Sequence, residues 1–164
     1  MTEVLILMGS DSDAPVMKAA VETLTELGVT SKMTVASAHR SPARVLRLMD
    51  EAHQDGVRVF VVGAGAAAHL AGVVAAHTTL PVIGVPIDST ALKGLDALLS
   101  TVQMPPGVPV ATVAVGRPGA TNAGVLAAQM IALADPALAT RLQAYKKRLE
   151  DKVEAAAARL ESAT

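Results

Sequence analysis

The chain has 164 residues, 51% hydrophobic and only 1% aromatic, with a formal net charge of −1 and no cysteine. That length suits one domain with a sizeable core, and the missing cysteine excludes disulfides, thiol nucleophiles and thiolate metal sites. Charge is balanced and free of basic blocks, which argues against a nucleic-acid face, and no unbroken apolar run is long enough for a membrane span.

Much of the apolar content is alanine and valine. The surplus predicts extra buried surface, in tight helix–sheet packing or between subunits. The first residues show no basic region, apolar segment and cleavage site in succession, so no secretory signal is expected. A cytoplasmic protein fits these features.

In chain order, residues 3–8 form an apolar, branched run, the pattern of a strand buried on both faces. Gly9-Ser10-Asp11-Ser12-Asp13 breaks it. Helical spacing follows over 14–27, with Pro15 in the first turn and Gly28 as the stop. Residues 29–36 alternate as a second strand. Ser41 is placed as an N-cap, with Pro42 at the first position of a helix that ends near Gln54, before Gly56. The third strand is expected over 57–62, followed by a small-residue loop over 63–68. An alanine-rich helix then reaches about His77. Residues 81–85 read as the fourth strand, 86–93 as a polar loop, and 94–102 as a helix. A rigid turn, Gln103-Met104-Pro105-Pro106-Gly107, leads to a fifth strand over 108–115. Gly116-Arg117-Pro118-Gly119 reads as a turn with an exposed arginine, before a helix from about Thr121 to Leu133. A last, longer helix starts at Asp135-Pro136 and runs to about Glu161 with mixed charge on one face. The whole chain, 1–164, is expected to be a single domain. Its final helix, 136–162, is expected to pack on a neighbouring subunit.

Repeated strand-then-helix order predicts an α/β domain with a parallel sheet covered on both sides. All strand C-termini then lie along one edge, where such sheets bind ligands. The unusual polar and glycine residues follow the strands, at 9–13, 37–40, 63–69, 88–93 and 117–122, so these loops are expected to converge.

In the first loop, Gly9 lets the backbone approach a ligand. Ser10, Ser12 and free helical amides can hold a phosphate, and Asp13 can cap the helix or accept from sugar hydroxyls. In the second, Ser37 precedes His39 and Arg40, a titratable proton carrier beside a fixed cation. That pair suits acid–base work on an anionic substrate. In the third, Gly63-Ala64-Gly65 imitates a dinucleotide fingerprint only partly. It follows the third strand, and the next acidic residue, Asp88, follows another. It reads better as a pocket wall of small residues beside a flat ligand, with His69 in contact. His53 and His77 lie in helices without partners at metal-ligand spacing, so no metal site is expected. Lys93 reads as a solvated lysine, and the seven methionines as core fillers.

Met8-Gly9-Ser10-Asp11-Ser12-Asp13, Ser37-Ala38-His39-Arg40, Gly63-Ala64-Gly65-Ala66-Ala67-Ala68-His69-Leu70, Gln103-Met104-Pro105 and Asn122-Ala123 span nearly the whole chain. With these motifs in this order, the sequence resembles the N5-carboxyaminoimidazole ribonucleotide mutases, within the aminoimidazole ribonucleotide carboxylase family. The resemblance implies a flavodoxin-like three-layer α/β/α sandwich, a long C-terminal helix and a homo-octamer. It implies an isomerase of purine biosynthesis that needs no cofactor or metal. Such an enzyme moves a carboxylate from the exocyclic nitrogen of a ribonucleotide to ring carbon C4, through decarboxylation and recarboxylation. His39 would be the proton shuttle. Ser10, Ser12, Asp13 and Arg40 would hold the ribose 5-phosphate, with Ser37, Gly65, Ala66, His69 and Leu70 as further substrate contacts. A transient contact with the carbamate-forming synthetase is a further implication. Ala66 stands where relatives often have glycine, and Ala71 where proline is common, which bears on the shape of that loop.

The related carboxylases use carbon dioxide directly. They share the first loop and Ser-Ala-His, with lysine after the histidine and a different third loop. Arg40 and the loop ending in His69 therefore favour the mutase reading. A non-catalytic flavodoxin-like domain fits less well. Flavin stacking wants aromatics, and Phe60 and Tyr145 lie outside the strand-end loops. A receiver domain wants an acidic cluster, partly met by Asp11 and Asp13, and a lysine after the fifth strand, which is missing.

Overall fold

The structure is a computed structural model and describes residues 1–162. Its strands are β1 (Val4–Met8), β2 (Ser31–Val35), β3 (Val59–Gly65), β4 (Val82–Ile87) and β5 (Ala111–Thr112). They form one parallel sheet in the order β2-β1-β3-β4-β5. Between and after them run α1 (Ala14–Glu26), α2 (Pro42–Asp55), α3 (Leu70–Ala75), α4 (Leu95–Val102), α5 (Arg117–Ala132) and α6 (Pro136–Glu161).

Side chains alternate across a strand, so each one feeds two cores. Val4, Ile6 and Met8 of β1 and Val59 and Val61 of β3 pack against α1, α5 and the start of α6. Leu5, Leu7, Phe60 and Val62 face the other way, onto α2, α3 and α4. The result is the expected three-layer α/β/α sandwich. Phe60 is fully buried, and such a side chain contributes roughly 1.5–3 kcal/mol by leaving water. Gly63 matters to this packing, because the Met17 sulfur of α1 fills the space a Cβ there would take.

Several boundaries differ from the sequence pattern. β3 runs on through Gly63, Ala64 and Gly65, and β4 through Pro86 and Ile87. Pairing of Gly65 with Ile87 carries both strands to the sheet edge, so glycine marks close packing there and no break. β5 shrinks to two residues. Pro109 lacks an N–H to donate, yet Val113 and Gly116 still donate to the carbonyls of Gly84 and Pro86, at 3.0 and 2.8 Å. α3 ends before His77, whose Nδ1 lies 2.8 Å from the Val73 carbonyl. Arg117, Pro118 and Gly119 are the first turn of α5, not a loop. Proline suits a first helical turn, where its missing N–H has no partner to lose. Asp135 caps α6 by accepting from Leu138 N–H at 3.0 Å. Leu138 is buried and Arg141 Nε donates to the Leu27 carbonyl at 2.7 Å, whereas Leu149 and Val153 further along are exposed.

Candidate active site

A recess of about 330 Å³ opens where β1 and β3 end. This is where the strand order reverses direction, the place a doubly wound sheet offers a ligand. Ser10, Ser12, Asp13, Ser37, His39, Arg40, Gly65, Ala66 and Leu70 all line it. His69 joins them through His39. The structure therefore brings together every residue singled out for the site.

The β1 loop is a short 3-10 turn, Asp11–Asp13, built as a reciprocal capping box. Ser10 N–H donates to Asp13 Oδ2 at 3.1 Å, and Ser10 Oγ accepts from Ser12 N–H at 3.3 Å. Ser12 O–H donates to Ser10 Oγ at 2.9 Å, and Ser10 O–H to Asp11 Oδ1 at 3.2 Å. Asp13 thus caps this turn and makes no side-chain cap for α1. It is only 5% exposed. Burial pushes its carboxyl above the ordinary carboxylate range. The Ser10 amide bond opposes that, Asp11 adds to it, and Arg40 opposes it. Its second oxygen, Oδ1, has no bond within the described residues.

The β2 loop is held by serines. Ser41 takes the N-cap position of α2 but caps no helical amide. Its hydroxyl turns back, accepting from Ser37 N–H at 3.1 Å and donating to the Ser37 carbonyl at 3.3 Å. Ser37 Oγ accepts from the Arg40 N–H at 3.1 Å and from Nε at 3.4 Å. Arg40 Nη2 then reaches across to the Gly9 carbonyl at 3.0 Å. The guanidinium therefore ties the two loops together. Arg40 has no carboxylate within ion-pair distance among the described residues.

His39 Nε2 lies 2.8 Å from His69 Nδ1, with ring centroids 4.9 Å apart and planes at 84°. One ring donates and the other accepts, so the tautomer of each is tied to that of its partner. The segment that delivers His69 is tightly wound. Ala68 N–H donates to the Ala66 carbonyl at 2.9 Å and His69 N–H to that of Ala67 at 2.8 Å. Ala66 has φ 52°, a left-handed conformation rare for any residue with a side chain. The chain here places an alanine in a conformation that glycine adopts freely.

The other two loops do not converge as the strand-end rule suggested. From 88–93 only Ser89 reaches the recess. Asp88 is taken up by a corner where the backbone of Gly94 and Gly116, both at positive φ, closes around it. Lys93 lies away from the recess. Arg117 turns to α1 and pairs with Glu22 at 3.0 Å. Ser89 is the one lining side chain with chemistry that the sequence did not single out. Its only signal was its place two residues beyond β4. Among the described residues, no group of three or more His, Cys, Asp or Glu side chains is placed to hold a metal ion.

Residues 3–152 match the family described as AIR carboxylase. The N5-carboxyaminoimidazole ribonucleotide mutase of Thermotoga maritima is 50% identical over 161 residues, covering 98% of this chain and 93% of that protein. The mutase of Pyrococcus horikoshii is 51% identical, over 95% of this chain and 87% of that protein. A crystal structure of Treponema denticola PurE superposes with a TM-score of 0.88 at 27% identity, covering 98% of this chain and 99% of the other. The chain belongs to the AIR carboxylase family.

Proposed function

We propose that this protein is an isomerase of purine biosynthesis that converts N5-carboxyaminoimidazole ribonucleotide to 4-carboxy-5-aminoimidazole ribonucleotide. The observation that carries the reading is the hydrogen-bonded His39–His69 pair, set between an arginine-bearing polar wall and a wall of small uncharged residues. The names of the relatives and their high identity point the same way.

The chemistry follows from that setting. His39 gives a proton to the exocyclic nitrogen as the nitrogen–carboxyl bond breaks and its electron pair returns to nitrogen. Carbon dioxide is freed beside the ring. Ring carbon C4 then attacks it, a carbon–carbon bond forms, and the C4 proton passes to His39. Nothing is gained or lost, so the acid–base group ends as it began. His69 holds the His39 ring at one angle. Arg40, Ser10 and Ser12 hold the 5-phosphate. Its oxyanions are charged acceptors that can take over the hydroxyls now bonded to the Asp11 carboxylate and to a serine oxygen. Asp13 Oδ1 is free for a ribose hydroxyl. Gly65, Ala66 and Leu70 close around ring and gas, which must not escape before recapture.

The protein works in the cytoplasm as a homo-oligomer, an octamer by family likeness, and meets the carbamate-forming synthetase transiently. Exposed apolar side chains support self-association: Leu95, Leu99 and Val102 on α4, and Leu149 and Val153 on α6. The outer part of α6 is thereby the segment assigned to a neighbouring subunit. Among the described residues no helix is long and apolar enough to cross a membrane.

The test offers both candidate substrates. Rapid turnover of the carbamate ribonucleotide, with slow turnover of aminoimidazole ribonucleotide plus carbon dioxide, is expected. Turnover of the latter alone would replace the mutase reading with the carboxylase one.

A further inference from the structure

Of the residues after β3 and β4 that line the recess directly, one has a polar side chain, Ser89. Its neighbours there, Gly65, Ala66, Ala67 and Leu70, offer none. The Ser89 hydroxyl lies against the bare Cα of Gly65, in the space a Cβ would need. It makes no side-chain hydrogen bond within the described residues. The preceding Asp88 packs closely on Gly94 and Gly116, where an added Cβ would come within 3.2–3.3 Å of it. A hydroxyl with no side-chain partner among the described residues therefore lines the same recess as Arg40 and His39.

We propose that the Ser89 hydroxyl binds the migrating carboxyl group of the substrate. This rests on the mutase reading and adds a contact to it. The group is a carboxylate anion on nitrogen, neutral carbon dioxide in transit, and a carboxylate again on carbon. A cation on this wall would stabilise the starting anion more than the neutral intermediate and so oppose the first step. A neutral hydroxyl donates to the carboxylate at both ends of the journey and costs little in between. Ser89 keeps its own proton throughout. The bond to nitrogen breaks, the bond to C4 forms, and the only proton in flight is that carried by His39.

Ser89→Ala in the full chain tests this. Loss of one neutral hydrogen bond predicts about a 3- to 10-fold fall in kcat, with the melting temperature unchanged. A distinctive second sign is leakage: aminoimidazole ribonucleotide is released, and labelled carbon dioxide from the medium enters the product more than in the wild type. Ser89→Thr keeps the hydroxyl and restores retention. Wild-type kcat and wild-type label exchange in Ser89→Ala overturn the proposal, as does a loss confined to stability. A wild-type chain that fails to turn over the carbamate counts against the mutase reading instead, so the two failures are separable.

Discussion

Where β1 and β2 end, the recess is lined by Ser10, Ser12, Asp13, Ser37 and Arg40, bound to one another through five short-range hydrogen bonds and the bridge to Gly9. Where β3 and β4 end, Gly65, Ala66, Ala67 and Leu70 contribute bulk and backbone only, with Ser89 as the lone hydroxyl. The first wall is preorganised by these bonds, so little ordering is left for the phosphate and sugar of the proposed substrate to impose. The second is shaped by absence of side chains. In the proposed reaction it leaves room for a flat ring and keeps charge away from a group that becomes neutral in transit. In the proposed reaction recognition therefore falls to one wall and the migrating group to the other, with His39 between them.

The contrast is most exposed at that seam. His39→Asn is expected to keep the fold, by circular dichroism, and to lower kcat by about 10²–10⁴-fold, the usual worth of a positioned acid–base group. Near-normal turnover would remove His39 from the chemistry. On the polar wall, Arg40→Ala removes one charge-assisted contact and loosens two loops. A rise in KM of about 10- to 150-fold is expected, from roughly 1.5–3 kcal/mol, with a smaller change in kcat. An unchanged KM would place the phosphate elsewhere.

Asp13 gives a prediction with a sign. Its folded-state carboxyl binds a proton more tightly than the unfolded chain does. Its ionisation therefore costs stability as pH rises from the ordinary carboxylate range through the raised folded value, and the loss is undone as pH falls again. Asp13→Asn cannot ionise, so its melting temperature should gain on the wild type across that window. A difference that shrinks with rising pH would contradict the burial argument. The smallest effect belongs to the apolar wall. Ala66→Gly relieves a left-handed alanine, worth about 1–2 kcal/mol, against the added entropy of glycine, about 0.5–1 kcal/mol. A melting temperature raised by about 2–4 °C is expected. A lower one would mean that Ala66 is not strained.

What the sequence could and could not carry follows from the range of each signal. Strand–helix alternation and loop chemistry are local, so the sheet, the three layers and the recess residues were legible. The stop at Gly63 was misread because glycine signals both a turn and close packing, and only the Met17 sulfur of α1 tells which. Likewise Pro118 opens a helix here, although Arg-Pro-Gly reads as a turn. The His39–His69 bond joins residues 30 apart, and no spacing rule reaches that far. Ser89 was hidden for the same reason, since its meaning depends on a glycine in the neighbouring strand.

The contact between the two imidazoles also limits how much charge the site can hold. Four ring nitrogens are present, and two of them share the single hydrogen between them, so at most three protons fit while the contact lasts. The reaction proposed for this site lends one proton and takes one back, and a store of that size is enough for it.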